Sequence, residues 1–284
     1  MNLPGADARV ARVGLVQAPV RLVASDLDGT LVHSDGSVSA RTRAALVAAE
    51  AAGLEVVFVT GRPLRWAEEV FEHVGGHGLA IVSNGALVWD VARAAEHLVR
   101  PIDPATGVEI ARRIRAAVPE SHFAVETLGG IALEPGFLER HPVPDGAARG
   151  PIEQIFAGPA VKLLARHETL DWEEFWSRAA AAVGDLAEIT WSSATALLEI
   201  SAAGVTKAST LALVCAERGI AAAEVLALGD MPNDLPMLAW AGTSYAMANA
   251  HPSVRAAATH LAAANDEDGV AQVIESLLDS RVAR

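Results

Sequence analysis

Short apolar runs rich in β-branched residues alternate with helix-length stretches along the first part of the chain. Residues 21–25 predict a strand that runs straight into Asp26-Leu27-Asp28-Gly29-Thr30. A helix follows, with Ser39 placed to cap its start and Gly53 just past its end. Residues 54–60 form a largely apolar, β-branched run, the pattern of a strand buried on both faces. Gly61-Arg62-Pro63 opens the next helix, where proline suits the first position. Trp66, Val70 and Phe71 lie along it before Gly75. Residues 79–83 predict a third strand, leading into Asn84-Gly85. Strands alternating with helices in this way predict a parallel sheet with right-handed crossovers.

The same grammar returns towards the C-terminus. A helix over 206–218 ends at Gly219, a strand over 225–228 feeds Gly229-Asp230, and a helix follows over 234–241. Segments beginning at Pro252 and Asp268 predict closing helices. The middle of the chain has another rhythm. It predicts a helix over 104–118 and paired strands over 122–126 and 130–134, joined by a turn at Gly129-Gly130. A strand over 160–165, a helix over 170–183 and strands over 186–191 and 196–200 follow, while 139–150 is a Pro- and Gly-rich loop. Helix-strand-strand, repeated, predicts an antiparallel sheet with helices on one face. Trp172 and Trp176, four apart, predict core positions rather than a sugar platform. The chain therefore reads as α/β, with a Rossmann-like parallel-sheet core built from 21–86 and 202–284. An α+β domain is inserted at 87–201, and a tail occupies 1–20. Hinges are expected near 85–87 and 201–204.

Composition narrows the function classes. Of 284 residues, 51% are hydrophobic and 20% charged, which excludes a mostly disordered chain. No apolar run approaches the roughly 18 residues of a membrane-spanning helix, so no membrane partner is expected. The N-terminus lacks a basic start followed by a clean apolar stretch, so no secretion signal is expected. A single cysteine, Cys215, excludes an internal disulfide and, in its apolar stretch, predicts a buried structural thiol. A reducing, cytoplasmic setting fits these features. With 22 basic and 35 acidic residues the formal charge is −13, which argues against nucleic acid as a partner. An anionic substrate must then meet concentrated positive charge or a metal. Only two basic residues are lysine, Lys162 and Lys207.

Four segments carry candidate chemistry, each at a predicted strand end, where open parallel sheets place ligands. In Asp26-Leu27-Asp28-Gly29-Thr30 the two carboxylates are two apart and face one side of an extended chain. With a divalent cation, Asp26 could stay ionised as a nucleophile while Asp28 carries a proton. A solvated Asx turn is the alternative. A calcium loop fails, because its sixth and twelfth positions would be Leu31 and Ser37. Thr60-Gly61-Arg62-Pro63 brings a hydroxyl, a bare amide and a guanidinium to a helix start, which suits an anion or simply an N-cap. Lys207 sits near a helix start, where a cation opposes the dipole; it either reaches a phosphate or lies in solvent. Gly229-Asp230-Met231-Pro232-Asn233-Asp234 offers hard oxygen ligands suited to magnesium, or a capped turn.

Taken together, these segments resemble the haloacid dehalogenase (HAD) superfamily of phosphatases, specifically the Cof-type branch with a type IIB cap. The resemblance runs from about Leu22 to the C-terminal helix. It rests on Asp26-Leu27-Asp28-Gly29-Thr30-Leu31, Val59-Thr60-Gly61-Arg62-Pro63, Ser83-Asn84-Gly85-Ala86, Gly204-Val205-Thr206-Lys207 and the 229–234 string. The inserted domain matches the family's cap, and the tail falls outside the pattern.

The resemblance implies roles. Asp26 is the nucleophile that forms an aspartyl-phosphate, and Asp28 protonates the leaving alcohol and later activates water. Thr60, Gly61 and Lys207 bind phosphate, and Arg62 and Asn84 contact substrate. Mg2+ is held by Asp26, the Asp28 backbone carbonyl and Asp230, supported by Asn233 and Asp234. His122, Glu126, Lys162 and Arg166 are specificity candidates on the cap. The expected activity is Mg2+-dependent hydrolysis of a small phosphorylated metabolite, such as a sugar phosphate. A phosphomutase and a non-catalytic phosphometabolite-binding protein are the alternatives, and monomer and dimer both stay open.

Overall fold

A computed structural model describes residues 19–74, 78–139, 142–191 and 196–282; most of the tail predicted over 1–20 lies outside them. Strand β1 (Leu22–Ser25) is followed by helix α1 (Ala40–Ala51), β2 (Glu55–Val59), α2 (Leu64–Val74) and β3 (Leu79–Val82). Ser39 caps α1 by accepting from the Thr42 amide. β4 (Leu87–Asp90) and β5 (Ala95–Val99) then fold back as an antiparallel hairpin on β3. Residues 87–99, read from the sequence as the start of the insert, are thus paired into the first sheet. Their turn uses no glycine: Asp90 accepts from the Arg93 amide and Ala94 takes a φ of 47°.

The insert contributes α3 (Pro104–Ala117), β6 (His122–Thr127), β7 (Gly130–Leu133), α4 (Ile152–Ile155), β8 (Lys162–Arg166), α5 (Trp172–Val183), β9 (Ala187–Thr190) and β10 (Leu197–Ala202). The chain then returns with α6 (Lys207–Glu217), β11 (Val225–Gly229), α7 (Leu235–Trp240), β12 (Thr243–Ala246), α8 (Pro252–Ala257), β13 (His260–Leu261) and α9 (Gly269–Val282). Among the described residues the first sheet has eight strands, ordered β13-β12-β11-β1-β2-β3-β4-β5, and the second has five, ordered β7-β6-β8-β10-β9. From β13 to β3 the first sheet is parallel; the second is antiparallel throughout.

β1, β3 and β11 are buried along their whole length, as befits strands covered on both faces. From β1 the chain steps outward to β2 and β3 on one side, and from β11 to β12 and β13 on the other. The order reverses between β1 and β11, and a crevice opens at the C-terminal ends of the strands at such a point.

The second sheet divides its residues by alternation. Phe123, Val125, Leu163, Ala165, Leu198 and Ile200 pack with α3 and α5 in an apolar cluster of their own. Trp172 and Trp176 do not share it. Phe175 takes the core position, Trp176 is 39% exposed, and Trp172 meets Trp191 at 4.3 Å between ring centroids. Two linkers join the sheets, and Arg100 ties them together. Its guanidinium donates to the Gly204 carbonyl in the return linker and to Ser209 and Thr210 in α6. Among the described residues, no helix is long and apolar enough to cross a membrane.

Candidate active site

Asp26 follows β1 and Asp230 follows β11, so they flank the crevice. Carboxylate oxygens of Asp26, Asp230 and Asp234 lie within 4.8 Å of one another, and all three residues are buried. Lys207, the first residue of α6, reaches into this cluster. Its Nζ donates to Asp26 Oδ1 at 2.6 Å and to Asp234 Oδ1 at 2.7 Å. The other Asp234 oxygen accepts from the amides of Asp230 and Met231, so this carboxylate is fully engaged in holding its neighbours. Thr30 donates to Asp230 Oδ1 at 3.1 Å. Gly29 permits that approach: its φ is 72°, and a Cβ there would lie 2.3 Å from Asp230 Oδ2.

Electrostatics follow from this crowding. Burial pushes the Asp26 pKa well up; Lys207 opposes it, while Asp234 and Asp230 add to it. Asp230 is pushed up to about 7, by burial first and by Asp234 next. Burial disfavours the Lys207 ammonium, but Asp234 and Asp26 outweigh it and its pKa rises. The cluster is therefore short of positive charge.

Beside it, Thr60 is buried and its Oγ1 accepts from the Arg62 amide, so its O–H points to other acceptors. Asp28 stands apart. Its exposed carboxylate accepts both Nε and NH2 of Arg62, at 2.8 and 2.5 Å, while the guanidinium also donates to the Trp66 carbonyl. Arg62 thus contacts Asp28 where the sequence suggested a substrate contact. Asn84 has a φ of 56° after Ser83 at 51°, two consecutive left-handed residues without glycine. Asn84 Oδ1 accepts from Asn233 at 3.2 Å, and its Nδ2 donates to Glu199 at 2.6 Å.

The second sheet faces this rim with charge. Lys162 Nζ donates to the Gly61 carbonyl at 2.5 Å and to Glu199 at 2.7 Å. Glu126 accepts two bonds from Arg65 of α2, at 2.7 and 3.2 Å. His122 and Arg166 pair with each other in register further along the same strands. Sequence reasoning left out Thr30, Arg65 and Glu199. Glu199 carried a signal, as the one charge inside the strand Leu197-Leu198-Glu199-Ile200. Cys215 is buried, as expected, and its thiol pKa is pushed up to about 11 by burial.

The sequence profile of the haloacid dehalogenase-like hydrolases matches residues 23–274. The chain is 30% identical over 264 residues to the 5-amino-6-(5-phospho-D-ribitylamino)uracil phosphatase YcsE of Bacillus subtilis, spanning 90% of this chain and 94% of that protein. It is 31% identical over 251 residues to the HMP-PP phosphatase of Serratia proteamaculans, spanning 83% and 86%. Among solved structures, SMU.1108c from Streptococcus mutans shares the fold with a TM-score of 0.81 at 24% identity, over 92% of this chain and 99% of that one.

Proposed function

Because the chain belongs to the haloacid dehalogenase-like hydrolases and is a phosphatase of their Cof-type branch, we propose that it hydrolyses a small organic phosphate monoester through an aspartyl-phosphate on Asp26. The observation that carries this reading is the convergence of three buried carboxylates on one buried ammonium at the reversal point of the sheet.

The donor set fits a magnesium ion. Three ionised carboxylates against one lysine leave two negative charges uncompensated, and buried charge without a partner is costly. Asn233 Oδ1 is also buried without a donor, and cation-bound water would supply one. Asp26, Asp230 and the Asp28 carbonyl would hold the ion, which would offset phosphoryl charge when bound. Asp234, already committed to Lys207 and two amides, acts as a support.

An Asp26 carboxylate oxygen attacks phosphorus in line with the ester oxygen. The bond from phosphorus to the leaving oxygen breaks, and Asp28 delivers its proton to that oxygen. Asp28 then takes a proton from water, whose oxygen attacks phosphorus and breaks the bond to Asp26. For this Asp28 must exchange Arg62 for substrate, and its 56% exposed side chain has room to turn. Thr60 and the Gly61 amide donate to the phosphoryl oxygens. Lys207 keeps Asp26 oriented and adds positive charge. The inserted sheet and its helices serve as the cap that covers this cleft.

Phosphate release from p-nitrophenyl phosphate and from a panel of phosphorylated metabolites tests the reading. Turnover is expected with Mg2+, lost with EDTA, and abolished in a folded Asp26→Asn variant. Mg2+-independent turnover, or full activity in Asp26→Asn, would contradict it.

A further inference from the structure

The loop that follows β12 grips both sides of the crevice. β12 lies next to β11 and β11 next to β1, so this loop must pass over the end of β11 to reach the turn that follows β1. On the near side its Met247 amide donates to the Gly229 carbonyl at 3.2 Å and its His251 amide to the Asp230 carbonyl at 2.9 Å. On the far side Asn249 Nδ2 donates to the Gly29 carbonyl at 2.7 Å. The Asn249 side chain has one orientation, because its Oδ1 accepts from the Asn265 backbone amide at 3.0 Å, which leaves Nδ2 for Gly29. Asn265 in turn donates its own Nδ2 to the Val32 carbonyl at 3.0 Å, at the other end of the turn. The turn itself is wound on Leu27, whose carbonyl accepts from the amides of Thr30, Leu31 and Val32. Thr30 closes the circuit by donating to Asp230 Oδ1.

Resting on the magnesium-dependent reading above, we propose that Asn249 is a positioning residue for the cation, a brace that holds the turn bearing Asp28 in register with Asp230. Gly29 lies where a Cβ would come within 2.3 Å of Asp230 Oδ2, so the position requires glycine. Glycine has the least intrinsic preference for any one backbone conformation. Its φ of 72°, next to the Asp28 carbonyl that would meet the ion, therefore needs an external hold, and Asn249 supplies it. Magnesium demands near-ideal octahedral geometry and tolerates little displacement of its ligands. Without the Asn249 bond the Gly29 backbone gains freedom, and the ion must restrain it on binding. Asn249 is itself exposed, so the fold loses little with it.

Isothermal titration calorimetry of the full chain with Mg2+ tests this in Asn249→Ala and Asn249→Asp. The aspartate keeps the acceptor for Asn265, loses the donor to Gly29 and adds a negative charge. Charge alone would tighten Mg2+ in Asn249→Asp; the brace predicts weaker binding in both variants, with the dissociation constant raised at least about tenfold. Thermal unfolding separates this from a merely structural role. In EDTA both variants are expected within about 4 °C of wild type, the scale of one neutral hydrogen bond, while the rise in Tm on adding Mg2+ shrinks. An unchanged or smaller dissociation constant in either folded variant overturns the inference, as does a Tm loss that is equal with and without Mg2+. If Asn249→Ala is unfolded, Asn249→Asp decides. If wild type binds Mg2+ and hydrolyses p-nitrophenyl phosphate through Asp26 while the variants bind Mg2+ equally well, only the role of Asn249 falls. If wild type binds no Mg2+, the magnesium-dependent reading falls and takes this inference with it.

Discussion

Replacing Lys207 with methionine isolates the ammonium at the centre of the site. Methionine keeps most of the volume, so little of the effect comes from a cavity. What is lost is a side chain 1% exposed that donates at 2.6 Å to Asp26 and 2.7 Å to Asp234, with Asp230 in the same cluster. Removing one partner of a buried ion pair costs about 3–5 kcal/mol, because the remaining charge stays buried. At about 3 °C per kcal/mol for a chain of this size, Tm falls by about 10 °C. The loss depends on pH in a definite direction. Asp26 and Asp230 have raised pKa values in the fold, so acid discharges them there before it discharges an unfolded Asp. At pH 5 Asp230, raised to about 7, is protonated and less is lost with the ammonium; at pH 8 it is ionised and the full penalty applies. Thermal unfolding of both proteins in EDTA at the two pH values gives the answer. A loss below about 1 kcal/mol, the range of an exposed pair, or an equal loss at both pH values, would refute the reasoning.

Three further outcomes follow from particular contacts. Asp230 rises from 3.8 to about 7, which at about 1.4 kcal/mol per pH unit is about 4 kcal/mol. Metal-free wild type should lose up to that much stability, relative to Asp230→Asn, as pH climbs from about 4 to about 7, measured by urea unfolding. Gly29→Ala forces a left-handed alanine against Asp230 and should abolish Mg2+-dependent turnover. Gly36→Ala, with a φ of 85° but open space around it, should cost only about 1 kcal/mol and keep activity. The Cys215 thiol, buried and raised to about 11, should resist a thiol reagent at pH 8 until the protein unfolds.

How much the sequence revealed varied with the physics of each element. β1, β2 and β3 are plain because strands buried on both faces are mostly apolar, with only Glu55 and Ser25 at strand ends breaking the run. The β4–β5 hairpin was hidden because its turn is closed by the Asp90 side chain and a left-handed Ala94, with no glycine to mark it. β12 and β13 were missed because one is Thr243-Ser244-Tyr245-Ala246 and the other two exposed residues, neither with an apolar run. Trp176 looked like core by spacing, yet Phe175 beside it fills the apolar position. The order of motifs at strand ends pointed to the grouping of Asp26, Lys207, Asp230 and Asp234. The Arg62 to Asp28 bond was not legible, because a guanidinium's partner depends on where two loops lie in space. Glu199 stands out as the one charge in its strand, but its role is not legible there because its partners Lys162 and Asn84 lie 37 and 115 positions away in the chain.

The central claim is that Asp26 becomes phosphorylated during turnover. Rapid acid quench of the working enzyme, followed by borohydride reduction and peptide mapping, tests it directly, because reduction converts an aspartyl-phosphate to homoserine. Homoserine at position 26, dependent on substrate and Mg2+, is the result predicted. Phosphate release at full rate with no reducible acyl-phosphate at position 26, under conditions that trap one in a control phosphatase, would contradict it.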